Sequence, residues 1–208
     1  MTQTIEPDDV AKWWVDSSYA VHPDMKSHMG IYMMLGKGVT YTASCKQKLN
    51  TKSLTEAGLV AVDDAMGQVL WTRHFLAAQG HFVPTTTIYQ DNKSTILIAE
   101  NGKSSSSKRT LHINVWYFFI TDKIKKGEVK VAFCPTMNML ADFFTKPLQG
   151  SAFKKMRRII LNMPDTYKSS IEHRSVLVNK IFMGEQRDRS RSSFNEDANP
   201  KNTRKEPK

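Results

Sequence analysis

The sequence predicts an α/β fold, a five-stranded mixed sheet in the order 3-2-1-4-5 with helices on both faces. Three observations carry this. The chain opens with three short apolar runs separated by turn residues, the signature of an antiparallel meander. From Asn50 the apolar residues recur at three- and four-residue steps, which marks a long helix. Two later β-branched runs alternate with helical stretches, and strands joined in that way need crossover connections.

Taken in order, Val10 to Asp16 is an apolar run ending in an acid and reads as the first strand. His22 to Ser27, with Pro23, makes a turn. Ile31 to Leu35 is the second strand, closed by the hairpin signal Gly36-Lys37-Gly38, and Val39 to Cys45 the third. Thr51 or Ser53 can cap the long helix, whose apolar positions are Leu59, Val62, Met66, Val69 and Leu70. It runs to Gly80, with Gly67 as a candidate break. Thr85 to Tyr89 is the fourth strand, ending at Gln90-Asp91-Asn92, and a short helix follows from Ser94 to Glu100. Asn101 to Thr110 reads as a mobile basic loop. Ile113 to Lys126 reads as an aromatic-rich helix ended by Gly127, Val129 to Phe133 as the fifth strand, and Met137 to Thr145 as a helix stopped before Pro147. Phe153 to Leu161 closes residues 1–162 with a basic amphipathic helix. Residues 163–208 form a polar basic tail, and Gly184 to Lys208 has too little apolar material to fold.

Bulk properties narrow the function. No apolar run approaches the roughly 18 residues needed to cross a bilayer, so a membrane partner is not expected. Met1 to Asp9 is acidic and polar, unlike a secretory signal, and an intracellular location is expected. Cys45 and Cys134 stand far apart without metal-ligand spacing and are expected as buried thiols. Residues 1–162 hold 20 Lys/Arg against 13 Asp/Glu, within a net charge of +10. That surplus suits an anionic partner such as nucleic acid.

Hydrolysis of a phosphodiester by two metals needs several carboxylates converging on cations roughly 3.5–4 Å apart. Magnesium takes oxygen ligands, so His and Cys are unnecessary. Asp16 ends the first strand and Asp91 the fourth, and these strands are neighbours in the expected order. Asp142 follows the fifth strand and can reach the same edge. Each acid also has a plainer reading: a turn for Asp16, a helix cap for Asp91-Asn92, a solvated first-turn acid for Asp142.

Five blocks, among them WWVDSSYAVHPDMKSHMG, TIYQDNKSTILIAENG and FCPTMNMLADFFTKPLQG, resemble in order the ribonuclease H domain of copia-type retrotransposon Pol polyproteins, over roughly Val10 to Asn162. The resemblance implies a ribonuclease H-like fold. It also implies cleavage of the RNA strand of RNA–DNA hybrids by four acids and two Mg2+ ions, and a neighbouring reverse transcriptase module. Asp16, Asp91 and Asp142 match three catalytic and metal-binding acids. The fourth, a glutamate early in the long helix, matches Gly58. Glycine offers no ligand and weakens a helix by about 1 kcal/mol relative to alanine. Glu56 lies two residues earlier, roughly 200° around the helix, and should point elsewhere. Leu54 and Leu111 also depart from the family's usual serine and basic residue. A weak or inactive nuclease is therefore expected, with a non-catalytic nucleic-acid-binding module or an inactive relic as alternatives. Lys108, Arg109 and His112 suit phosphate contact, and by family analogy Asn92 and Ser94 touch the hybrid backbone. Trp13, Trp14, Trp71 and Trp116 are expected in packing roles.

Overall fold

β1 (Lys12–Ser18), β2 (His28–Met34) and β3 (Tyr41–Lys46) form the antiparallel meander. β4 (Thr86–Gln90) pairs parallel with β1, and β5 (Val129–Phe133) parallel with β4. The sheet therefore runs β3-β2-β1-β4-β5, as expected. The structure is a computed structural model that describes residues 11–102 and 114–164, the side chains of 114–117 excepted. The hairpin glycines Gly36 and Gly38 take φ of 86° and 87°, a region closed to most side chains.

The alternation of side chains along the strands builds two cores. On one face Trp13, Val15, Ile31, Met33 and Ile88 meet Leu59, Val62, Met66 and Val69 of α1 (Leu54–Ala78). α2 (Lys93–Asn101) and α3 (Asn114–Lys125) add Ala99 and Ile120 to that core. On the other face Tyr32, Trp14 and Met34 pack with Leu140 and with Met156 and Ile160 of α5 (Gly150–Leu161). A short helix, α4 (Asp142–Thr145), lies over β1, β2 and β3 on this second face. Helices thus cover both faces. Burying each large apolar side chain contributes roughly 1.5–3 kcal/mol, so one strand pattern serves both layers.

Several expectations are corrected. β1 continues through Asp16 to Ser18 because antiparallel pairing with β2 extends to Ser18↔His28. β2 accordingly starts at His28 rather than Ile31. Gly67 causes no break: α1 is continuous, and the glycine is exposed with nothing near its Cβ position. The single helix expected over Met137 to Thr145 is a 3-10 turn (Thr136–Asn138) followed by α4. Met139 between them is extended and fully buried, so core packing overrides helical continuity. Trp71 is 59% exposed and stacks on Phe75 at the surface, because it projects from α1 away from the sheet. Trp13 and Trp14 do pack, whereas the Trp116 side chain lies outside the described residues. Cys134 is buried, but Cys45, on the edge strand, is only half-buried. The expected basic loop and tail fall outside the described residues, apart from Asn101, Gly102, Met163 and Pro164. Among the described residues no helix is long and apolar enough to cross a membrane.

Asp63 on α1 has its carboxyl pushed up to about 6, first by burial and then by the charge of Asp64. A folded value above the usual 3.8 means that stability is lost as pH rises from about 4 through 6. Asp63→Asn should therefore raise stability at pH 7.5 by on the order of 1 kcal/mol, solvent screening allowed for, and leave it unchanged near pH 4. Denaturant titrations at the two pH values test this; an equal gain at both would reject it.

Candidate active site

The parallel pairing of β1 and β4 ends at Trp14↔Tyr89. Asp16 and Asp91 each stand two residues beyond that last pair, so the sheet delivers both to one edge at the same level. Asp142 comes from the first turn of α4 on the same side. One oxygen from each of Asp16, Asp91 and Asp142 lies within 4.8 Å of the other two. Asp16 lies within β1 rather than in a turn and Asp142 is buried rather than solvated, whereas the cap reading of Asp91-Asn92 holds for Asn92.

Each carboxylate is held. The Thr145 hydroxyl donates to Asp16 Oδ2 at 2.5 Å, and the Thr136 hydroxyl donates to Asp91 Oδ2 at 3.2 Å. The Lys146 ammonium reaches Asp142 Oδ1 at 2.8 Å and Asp16 Oδ2 at 3.6 Å. Asp16 and Asp142 are almost fully buried, which makes their mutual repulsion costly. Burial, assisted by the charge of Asp16, raises the Asp142 carboxyl above its ordinary value although Lys146 pulls it down. Burial works against the Lys146 charge, but the Asp142 hydrogen bond and the three aspartates outweigh it and raise its value. Sequence reasoning missed Thr136, Thr145 and Lys146. For Lys146, its position four residues after Asp142, on one helical face, was the available signal.

Asp16 and Asp91 open onto a cleft of about 270 Å³ that is also lined by Gly58, Asn92 and Lys146. A larger cleft of about 360 Å³, between Trp14, Tyr89 and Met156, contains no acid and lies apart from this chemistry. Gly58 is buried in the first turns of α1. A Cβ there would come 2.6 Å from the Thr95 hydroxyl, which donates to the Thr55 carbonyl. Glu56 is spent locally. Its backbone N–H donates to the Ser53 cap, and its carboxylate accepts from Lys52 N–H at 2.7 Å. This reciprocal capping turns Glu56 away from the three aspartates. Asn92 caps α2, its side-chain oxygen accepting from the N–H groups of Ser94 and Thr95. Ser94 is exposed, while Lys108, Arg109 and His112 lie outside the described residues.

The donor set fits a hard divalent cation. It consists only of carboxylate oxygens, close enough to share one centre, on a rigid sheet edge.

No family model matches the chain. It is 27% identical over 154 residues, 74% of its length, to the retrovirus-related Pol polyprotein from transposon TNT 1-94 of Nicotiana tabacum. It is 31% identical over 132 residues, 63% of its length, to that from transposon RE1 of Arabidopsis thaliana. It is also 29% identical over 151 residues to the transposon Ty1-H Gag-Pol polyprotein of Saccharomyces cerevisiae, 72% of this chain. The chain is distantly related to retrotransposon Pol polyproteins. The aligned stretches make up 11%, 9% and 8% of those polyproteins. Among solved structures, the chain is similar to LC11-RNase H1, isolated from compost by a metagenomic approach. The TM-score is 0.47 at 12% identity, covering 64% of this chain and 91% of that one. It is also similar to the prototype foamy virus protease-reverse transcriptase, with a TM-score of 0.44 at 11% identity, covering 77% of this chain and 22% of that one.

Proposed function

We propose that this domain binds RNA–DNA hybrids and descends from a nuclease that hydrolyses their RNA strand, with that hydrolysis impaired here. The observation that carries the reading is the convergence of Asp16, Asp91 and Asp142 beside a glycine at position 58. The three aspartates would hold Mg2+, which when bound supplies an activated water and a counter-charge for the leaving oxygen. The chain's own contribution is to fix the ligands. Thr145 and Thr136 orient the Asp16 and Asp91 carboxylates, and Lys146 offsets their charge. Asn92 and Ser94, with Lys108, Arg109 and His112, are proposed to contact the hybrid's phosphates, and a reverse transcriptase module is the proposed neighbour in a longer protein. We infer that the domain spans residues 1–162 and that 163–208 is a polar basic tail.

Incubating the full chain with a labelled RNA–DNA hybrid, first in Mg2+ and then in Mn2+, tests the reading. The expected result is salt-dependent binding with cleavage that is weak and is abolished in Asp91→Asn. Binding without any cleavage would favour the non-catalytic module. Loss of both in a folded protein would favour a relic.

A further inference from the structure

The short helix that carries Asp142 has too few residues to hold itself in place, so its seat on the sheet decides where that carboxylate points. The seat is a row of residues in register across three strands. Asp16 pairs with Gly30, and Gly30 with Ser44. At Gly30 a Cβ would lie 2.8 Å from the Ala141 carbonyl oxygen and 2.9 Å from Phe144 Cβ, so only glycine lets α4 descend this far. Two hydroxyls then hold the carbonyls at its C-terminal end. Ser18 donates to the Thr145 carbonyl at 2.9 Å, and Ser44 donates to the Phe144 carbonyl at 2.8 Å.

Ser44 is itself held from behind. Its one proton goes to Phe144, so the His28 Nε2 contact at 2.9 Å must be a donation from the imidazole to the serine oxygen. A neutral His28 then presents Nδ1 as an acceptor, and His22 Nε2 donates to it at 3.1 Å. The chain of donors therefore runs one way, from His22 through His28 and Ser44 to the α4 backbone.

We infer that Ser44, oriented by His28, is a positioning residue that sets the place of Asp142 relative to Asp16. The inference rests on the metal-binding reading of these aspartates, but half of its test does not. The Lys146 amide donates to the Asp142 carbonyl at 3.0 Å and reports directly on α4. In the full-length protein without metal, Ser44→Ala should speed hydrogen exchange at that amide about five-fold, the loss of one hydrogen bond. It should weaken Mn2+ binding by a similar factor, while exchange in the central turns of α1 stays unchanged. Ser44→Thr keeps the hydroxyl and should restore both, and His28→Gln, which keeps a donor, should do better than His28→Ala. Unchanged Lys146 exchange in Ser44→Ala, or failure of Ser44→Thr to rescue it, would overturn the inference. If exchange responds as expected but the wild-type chain binds no Mn2+, the positioning role stands and the metal reading fails.

Discussion

Gly58→Glu combined with Thr95→Ala is expected to give metal-dependent cleavage of an RNA–DNA hybrid well above that of the unmodified chain, on the order of 10²-fold or more. Removal of one preorganised electrostatic group from an active site typically costs about 10²–10³-fold in rate, and restoring one is expected to act on that scale. The single change Gly58→Glu should do much less. Its Cβ would sit 2.6 Å from the Thr95 hydroxyl, and Thr95 is fully buried with its hydroxyl tied to Thr55. The new side chain therefore has to displace a β-branched neighbour before it can reach the aspartates, at a cost of roughly 1–3 kcal/mol. Gly58→Gln with Thr95→Ala controls for shape, because a neutral amide is a poor ligand for a hard cation. Equal activity of the glutamate and glutamine double variants would reject the assignment of position 58. An unmodified chain as fast as the glutamate double variant would show that the three aspartates suffice.

Lys146→Met is expected to destabilise the metal-free protein at pH 7.5 and to make it more responsive to Mg2+. The ammonium is partly exposed, but it offsets two carboxylates that are almost fully buried. Removing it leaves Asp142 and Asp16 facing one another without that positive charge, a loss of about 1–3 kcal/mol once solvent screening at the lysine is allowed for. For a domain of this size the melting temperature should fall by roughly 3–10 °C. Because the lysine and a cation compete for the same oxygens, Mg2+ should recover more stability in the variant than in the wild-type chain. Acidification should narrow the difference. The Asp142 carboxyl is already raised, so lowering the pH protonates it and removes the repulsion that Lys146 offsets. A melting temperature and Mg2+ response identical to wild type at pH 7.5 would show that the ion pair carries no weight.

Much of this was legible in the residues. The meander, the long helix and the crossover strands follow from periods of two and of three to four, which are local properties of side chains. The position of Asp91 was legible because a strand and a helix cap adjoin it, and that of Gly58 because the resemblance aligns it with a glutamate. Trp71 was misread because its apolar character says nothing about which side of α1 it occupies. The break in the predicted helix before Asp142 was invisible because burial of Met139, not propensity, imposes it.

From sequence alone came the order of the elements and the three aspartates, since residue type and spacing are written along the chain, while the place of Gly58 came only from the resemblance. Only the tertiary structure decided what surrounds them. Thr95 fills the space beside Gly58 from 40 residues away from its Thr55 partner, and Ser44 reaches α4 across 100 residues. Lys146 also turns inward rather than outward. Such contacts depend on how close two packed layers come, and at Gly30 that distance is set by the absence of a single Cβ.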